Sequence, residues 1–294
     1  MKFAFVTCVE LGLACMKEID QAGGTLDLVI TLKDRLASEK SGRIYVDDFC
    51  KARNIDVLKI RSINDDVVVQ ELKRRRIDWL FIIGWSQIAS TAVLRAPSRG
   101  VLGMHPTLLP NGRGRASIPW AILKGLPETG VTLFQLDEGV DTGPILAQER
   151  LLITSEETAT TLYRRIAEAH QKLMRYVWQD LAEDRLTPVA QDESLATVWP
   201  GRTPADGRIQ ASMTVSMVDR LVRATTRPYP GAFWDDGDRR VRIWAGRIVE
   251  PESKSTGQVS STNATSLRIT LADGVYEAQD FDLIDLATQA GANE

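Results

Sequence analysis

The 294-residue chain has little cysteine, only two histidines, no strong excess of either charge and no long apolar run. Its three cysteines, Cys8, Cys15 and Cys50, fall in the first fifty residues without CxxC or Cys/His spacing. That pattern argues against a disulfide framework and a zinc site, so no metal is expected and the thiols read as buried or bystander groups. A formal net charge of -3 argues against broad wrapping of nucleic acid, while leaving room for a local basic patch. The early apolar run is broken by Glu10 and Glu18 and lacks a small-residue cleavage site. Neither a bilayer span nor a signal peptide is expected, and a cytoplasmic location follows by default. Glycine-rich phosphate fingerprints are missing as well: Gly12 stands alone after the first expected strand, which counts against a dinucleotide-binding or P-loop enzyme. No internal repeat is visible.

What is present reads as a soluble globular chain, 44% hydrophobic and 26% charged, long enough for one large core or two domains. Short apolar runs at Lys2 to Cys8, Leu26 to Leu32, Asp78 to Gly84 and Gly100 to Met104 predict strands. Helical spacing or composition appears between them at Leu11 to Ala22, Tyr45 to Arg53 and Asp65 to Arg76. Such alternation predicts an α/β fold, a mostly parallel sheet with helices on both faces and ligands outside the carboxyl ends of its strands. A helix near Pro119 to Lys124 and strands at Gly130 to Leu136 and Ile145 to Ile153 extend it. Leu162, Ile166, Ala169, Leu173 and Val177 then build one apolar stripe, predicting a long helix packed on the sheet, with Thr154 or Ser155 as N-cap and Leu186-Thr187-Pro188 as its stop.

The Pro/Gly/Asp/Ser-rich stretch Pro188 to Gly207 reads as a connection, dividing a first domain over 1–190 from a smaller, mostly β, OB-like domain over 203–288. In the latter a helix is expected at Val215 to Thr225 and strands at Val241 to Val249, Ser266 to Leu271 and Val275 to Phe281, the last two joined at Asp273-Gly274. The polar stretch Ser253 to Thr265 lacks periodicity and reads as a mobile loop.

The chemistry concentrates between Gly103 and Gln148. His105 follows a buried strand and precedes Pro106, so its ring should emerge at the strand's carboxyl end. Asp141 lies in the turn Asp137-Glu138-Gly139-Val140-Asp141-Thr142-Gly143 after another strand, where a carboxylate can orient an imidazole and raise its pKa; an Asx turn is the ordinary alternative. Trp85 sits just past the strand Asp78 to Gly84, a position that favours a ligand role over plain core packing. Arg113 and Arg115 flank Gly114 in an irregular loop, suited to an anion or to scaffolding. His170, inside the long helix, reads as structural or surface, and Lys73 to Arg76 as a solvated helix end.

Three blocks, His105-Pro106-Thr107-Leu108-Leu109-Pro110, Arg113-Gly114-Arg115 and Asp137 to Gly143, together resemble in order and spacing the signature of the folate-dependent formyltransferases. That family includes the methionyl-tRNA and sugar-nucleotide N-formyltransferases. The likeness is dense from about 78 to 178 and returns at Arg202 to Gly207, Leu221 to Ala224 and Pro228 to Ala232. It implies a formyltransferase fold, related to the Rossmann type, and an enzyme moving a formyl group from 10-formyltetrahydrofolate to a primary amine. His105 and Asp141 would then be catalytic. Trp85, Ser86, Gln87 and Ile88 with Asp137, Gly139 and Val140 would meet the pteridine, and Arg113, Gly114 and Arg115 the acceptor.

One departure stands out: the family generally carries an Asn two residues before the histidine, where its amide steadies the oxyanion, and this chain has Gly103. Losing such a donor costs about two to three orders of magnitude in rate unless Asn111, protonated His105 or a backbone N–H replaces it. For the acceptor, a nucleotide-linked amino sugar is expected first, from the acidic balance and the opening Phe3 to Lys17. The alternatives are methionyl-tRNA, a hydroxylated amino-acid side chain, and a folate-binding member without turnover. No membrane partner is expected, and a homodimer is left open.

Overall fold

The structure is a computed structural model of the chain and describes residues 1–39, 42–249, 258–263 and 266–286. In chain order its elements are β1 (Phe3–Val6), α1 (Glu10–Gln21), β2 (Leu28–Leu32), α2 (Asp47–Ala52), β3 (Val57–Ile60), α3 (Asp66–Arg75), β4 (Trp79–Ile82), α4 (Thr91–Leu94), β5 (Gly100–His105), the two-residue β6 (Arg113–Gly114), α5 (Ser117–Leu123), β7 (Glu128–Gln135), β8 (Ile145–Leu152), α6 (Ala159–Ala182), the two-residue β9 (Val198–Trp199), α7 (Val215–Thr225), β10 (Ala232–Asp236), β11 (Arg239–Val249), β12 (Gln258–Asn263), β13 (Ser266–Leu271) and β14 (Gly274–Asp285). They divide between two compact units, one made of Met1–Gly114, Gly130–Leu151 and Ile166–Val198, the other of Arg115–Thr129, Leu152–Arg165 and the chain from Trp199 onward.

The first unit holds a seven-stranded sheet in the order β3-β2-β1-β4-β5-β7-β8. Its first five strands run parallel, and β7 pairs antiparallel with β5, setting His105 opposite Thr132. Every residue of β1 and β2 is buried, as apolar runs covered on both faces must be. The order in which the chain adds strands reverses between β1 and β4, the switch point where open α/β sheets present ligands. Trp178 of α6 packs its ring 4.6 Å from that of Phe3 and 6.4 Å from Phe81, anchoring the long helix on the sheet as its stripe predicts. Cys8, Cys15 and Cys50 are buried free thiols, and burial pushes Cys15 up to about 12.

In the second unit five antiparallel strands run in the order β10-β11-β14-β13-β12, with Val218, Leu221 and Val222 of α7 buried among Ile243, Ile269 and Tyr276. Three details differ from the sequence reading. Leu271 pairs with Gly274, so Ala272-Asp273 makes the hairpin and Asp273 Oδ1 accepts from the Val215 N–H at the start of α7. Residues 258–263, expected as loop, form β12 against β13, because an edge strand satisfies its backbone on one side only and tolerates polar sequence. The remainder of the 253–265 stretch lies outside the described residues. Strand β3 has only one fully buried residue in four, which hid it from an apolar-run reading. Among the described residues no helix is long and apolar enough to cross a membrane.

Candidate active site

His105 ends β5 at the carboxyl edge of the sheet and is 8% exposed. Its Nε2 lies 2.8 Å from the Gly112 carbonyl oxygen, and its Nδ1 lies 3.5 Å from Asp141 Oδ2. Residues 105 and 141 therefore meet. Asp141 has φ 56°, in the left-handed region that Asp tolerates better than most residues, and Oδ2 also accepts the Gly114 N–H at 2.9 Å. The turn is held by Asp137, whose Oδ1 accepts from the Gly139 N–H at 3.0 Å and from the Thr142 hydroxyl at 2.7 Å. Gly143 cannot be replaced there, since a Cβ would sit 1.7 Å from the Gln135 carbonyl oxygen.

A carbonyl can only accept, so Nε2 carries a proton and donates to Gly112. With the other nitrogen facing a carboxylate, neither ring nitrogen is a free base. The second oxygen of Asp141 makes no hydrogen bond among the described residues, which leaves it as the open proton acceptor of the pair.

Arg113 behaves differently from the expectation that it meets the acceptor. It is 5% exposed, and its fork is filled: Nε and Nη2 donate to Gln191 Oε1 at 3.1 and 2.8 Å, and Nη1 and Nη2 donate to the Glu193 carboxylate at 2.9 and 2.7 Å. Hydrogen bonding to Glu193 holds its guanidinium above the ordinary arginine range. Gln191 in turn donates to the carbonyls of Asp141 and Gly143 at 2.9 and 2.7 Å. The Arg113–Gln191 pair thus fixes the backbone that carries Asp141, a scaffold invisible in sequence because its members are far apart. Arg115 is exposed and has no carboxylate in ion-pair range among the described residues.

Gly103 is covered by an apolar group. A Cβ there would lie 2.7 Å from Leu136 Cδ2, so a leucine tip occupies the direction in which the family's Asn would extend. Asn111 keeps its amide N–H groups unbound, its carbonyl being taken by the Thr197 hydroxyl.

The loop after β4 and the acidic turn are neighbours. Glu138 accepts from the Thr91 hydroxyl at 3.1 Å and pairs with Arg95 at 3.2 Å, both on α4. Ile88 and Val140 are 84% and 62% exposed, two apolar side chains without cover. Trp85 and Leu136 are partly buried and pack on the same apolar cluster, so Trp85 has a core role beside any ligand role. Gln87 is spent within the protein: its oxygen accepts from the Ile63 N–H at 2.8 Å and from Trp85 Nε1 at 3.3 Å, and its nitrogen donates to the Arg61 carbonyl at 3.3 Å. A cavity of about 500 Å³ opens beside it, lined by Cys8, Leu32, Arg35, Leu36, Arg61, Trp85, Ser86 and Gln87.

His170 is 2% exposed and donates from Nδ1 to the Ile166 carbonyl at 2.7 Å, so it is buried and not a surface residue. Burial holds its imidazole down at about 4, and the charge of His105 adds to that shift.

The formyl transferase family profile matches residues 7–177, more than half of the chain, and the profile of the formyl transferase C-terminal domain matches 202–286. The chain belongs to the formyl transferase family. Methionyl-tRNA formyltransferase of Lachnospira eligens is 26% identical over 291 residues, covering 96% of this formyltransferase and 92% of that protein. Among solved structures, an N-formyltransferase from Helicobacter canadensis in complex with folinic acid and dTDP-3-aminofucose superposes with a TM-score of 0.73 at 16% identity, covering 96% of this chain and 100% of that one. HypX from Aquifex aeolicus in complex with tetrahydrofolic acid superposes at 0.66 with 18% identity, over 99% of this chain and 47% of its own. Both likenesses speak to the fold.

Proposed function

We propose that this formyltransferase takes the formyl group of 10-formyltetrahydrofolate and places it on the primary amine of a nucleotide-linked amino sugar, with His105 and Asp141 as its catalytic pair. The observation that carries the reading is their juxtaposition at the sheet's carboxyl edge, 3.5 Å apart, with His105 buried, Asp141 partly buried and one carboxylate oxygen left open. In the reaction the amine nitrogen bonds to the formyl carbon and the bond from that carbon to the carrier nitrogen breaks. Asp141 takes the amine proton and returns it to the departing nitrogen. His105, held by its Nε2 bond to Gly112 and facing Asp141 through Nδ1, stands beside the carbonyl oxygen as it becomes negative. Both groups are held before the reactants arrive, which reduces the reorganisation the step requires.

A flat heterocycle would meet the exposed Ile88 and Val140 and the partly buried Trp85, with polar contacts from the backbone of Ser86, Gln87, Asp137 and Gly139. Arg115 is the arginine of its pair with a guanidinium free for an anion. For the acceptor, a nucleotide sugar is favoured over tRNA by charge: residues 202–286 contain eleven bases against twelve acids, without the cationic excess that gripping many phosphates requires. The Lachnospira relative keeps tRNA as the second reading.

The test incubates purified protein and 10-formyltetrahydrofolate with a panel of nucleotide-linked amino sugars and, separately, with charged initiator tRNA, following the mass gain of one formyl group. Transfer to a nucleotide sugar is expected. Transfer to the charged tRNA alone would replace this acceptor by the second reading.

A further inference from the structure

Most arginines of the second unit are engaged by its own acids. Arg165 pairs with Glu157, Arg208 and Arg240 share Asp235, Arg223 holds Asp219, Arg227 holds Asp280, and Arg247 and Arg268 share Glu277. Arg164 is engaged as well. By contrast, Arg115, Lys124, Arg202, Arg220, Arg239 and Arg242 have no carboxylate within ion-pair range among the described residues. Of these, Arg239 and Arg242 stand on β11 in register with Asp285 and Asp282 of β14. The others gather around α5 and the run from Trp199 to Arg202.

Trp120 organises this gathering. Its Nε1 donates to the Pro200 carbonyl at 2.9 Å, which fixes the indole against the run from Trp199 to Arg202. Lys124, one helical turn on, holds its Nζ 5.6 Å from the centroid of that ring and 5.9 Å from that of Trp199. Arg202 sets its Cζ 5.0 Å from the same Trp120 centroid. The quadrupole of the ring attracts a cation over its face, which holds each head in place and neutralises neither. Arg115 is tied in through its N–H, which donates to the Trp199 carbonyl at 3.1 Å, and its Cδ lies 3.6 Å from where a Cβ on Gly201 would stand. Arg220 of α7 lies against Gly125, its Cζ 3.0 Å from the corresponding position there.

Like charges drawn to one ring repel each other, and no ion pair offsets that repulsion. Arg202 donates from Nη2 to the Asp206 carbonyl at 2.7 Å, while the Asp206 carboxylate turns to Thr203, taking its N–H at 2.5 Å and its hydroxyl at 2.9 Å. Desolvation pulls the half-buried Arg202 guanidinium below the ordinary arginine range, and the charge of Asp206 offsets this only in part. A cation pair held ready without a counter-charge suits a multivalent anion. We propose that Lys124 and Arg202 seat the diphosphate of the acceptor, flanked by Arg115 and with Trp120 as their positioning residue; the assignment rests on the nucleotide-sugar reading above. Arg115 directly follows Gly114, whose N–H donates to Asp141, so the anion seat begins one residue along the chain from a group that holds the catalytic carboxylate. None of the residues assigned to the pteridine belongs to it.

The experiment is calorimetric titration of the full chain with inorganic diphosphate, with and without saturating 5-formyltetrahydrofolate, repeated on Lys124→Gln, on Lys124→Gln/Arg202→Gln and, as a control, on Arg239→Gln. Lys124 is exposed, so its single variant should keep the wild-type melting temperature. One diphosphate per chain is expected, weakened about tenfold by Lys124→Gln and about a hundredfold by the double substitution, and unchanged in Arg239→Gln. Folate affinity should be the same in every variant, and folate should not displace the anion. Failure of the wild type to bind diphosphate overturns the assignment, as does equal weakening by Lys124→Gln and Arg239→Gln. A double variant that loses charged initiator tRNA while its diphosphate affinity is unchanged also overturns it, giving the patch to tRNA phosphates. Should no nucleotide sugar be formylated while diphosphate still binds through Lys124 and Arg202, the acceptor reading fails and the anion site stands.

Discussion

Asp141 lets charge and backbone be separated, because it holds φ 56° while one of its carboxylate oxygens stays open beside His105. Asn tolerates that left-handed region, so Asp141→Asn should fold like the wild type, whereas Asp141→Ala should cost about 1 kcal/mol more, readable as a shift in urea midpoint. Gly103 poses the opposite case, a polar donor replaced by space under Leu136. Gly103→Asn alone must push the Leu136 tip aside, at a cost of about 1–3 kcal/mol, while Gly103→Asn with Leu136→Ala removes the clash. The double variant should gain turnover by up to about two orders of magnitude if an oxyanion donor is what this chain lacks. A wild type that binds folate but transfers nothing, with activity appearing only in the double variant, would make the native chain a folate binder. His170 supplies a pH test. Its folded imidazole titrates at about 4 and an unfolded one near 6.5, so between those values the unfolded chain binds the extra proton and stability falls as pH drops. About 2 kcal/mol should be lost between pH 7 and pH 5 beyond what His170→Leu loses, measured by urea unfolding at both pH values.

At the scale of elements, three segments converge on Asp141: the short strand β6 of Arg113 and Gly114, the turn Asp137–Gly143, and the loop around Gln191. Replacing Gln191 by Leu cuts the bonds to the Asp141 and Gly143 carbonyls without touching a reacting group. The expected result is a kcat lowered about tenfold at unchanged KM for the donor, with partial recovery in Gln191→Asn; a change in KM alone would count against a positioning role. This network also shows what sequence could and could not convey. Helices α1, α3, α6 and α7 were readable because their apolar faces repeat every three or four residues, and β13 because it alternates between turn residues. The histidine–carboxylate pair was readable because His105 ends one strand and Asp141 lies in the turn that follows another. Arg113 reads in sequence as an anion contact or a scaffold because it stands in an irregular loop, while the groups that fill its fork lie far off at 191 and 193. Strands β3 and β12 escaped because one is half-covered and the other is a polar edge.

Over the whole molecule, charge is distributed unevenly. The stretch 202–286 balances its bases with acids, whereas the cavity over β1 to β4 keeps two arginines uncompensated in a chain of net charge -3. On the nucleotide-sugar reading proposed above, rising salt should weaken acceptor affinity with a shallow slope, on the order of two released counterions rather than six to ten. The measurement that tests the central claim most directly is single-turnover formyl transfer from 10-formyltetrahydrofolate to a nucleotide-linked amino sugar, run on the wild type and on Asp141→Asn, with folate binding measured on the same samples. The account predicts equal folate affinity and a transfer rate about a thousandfold lower in the variant. Transfer by Asp141→Asn at the wild-type rate would contradict it.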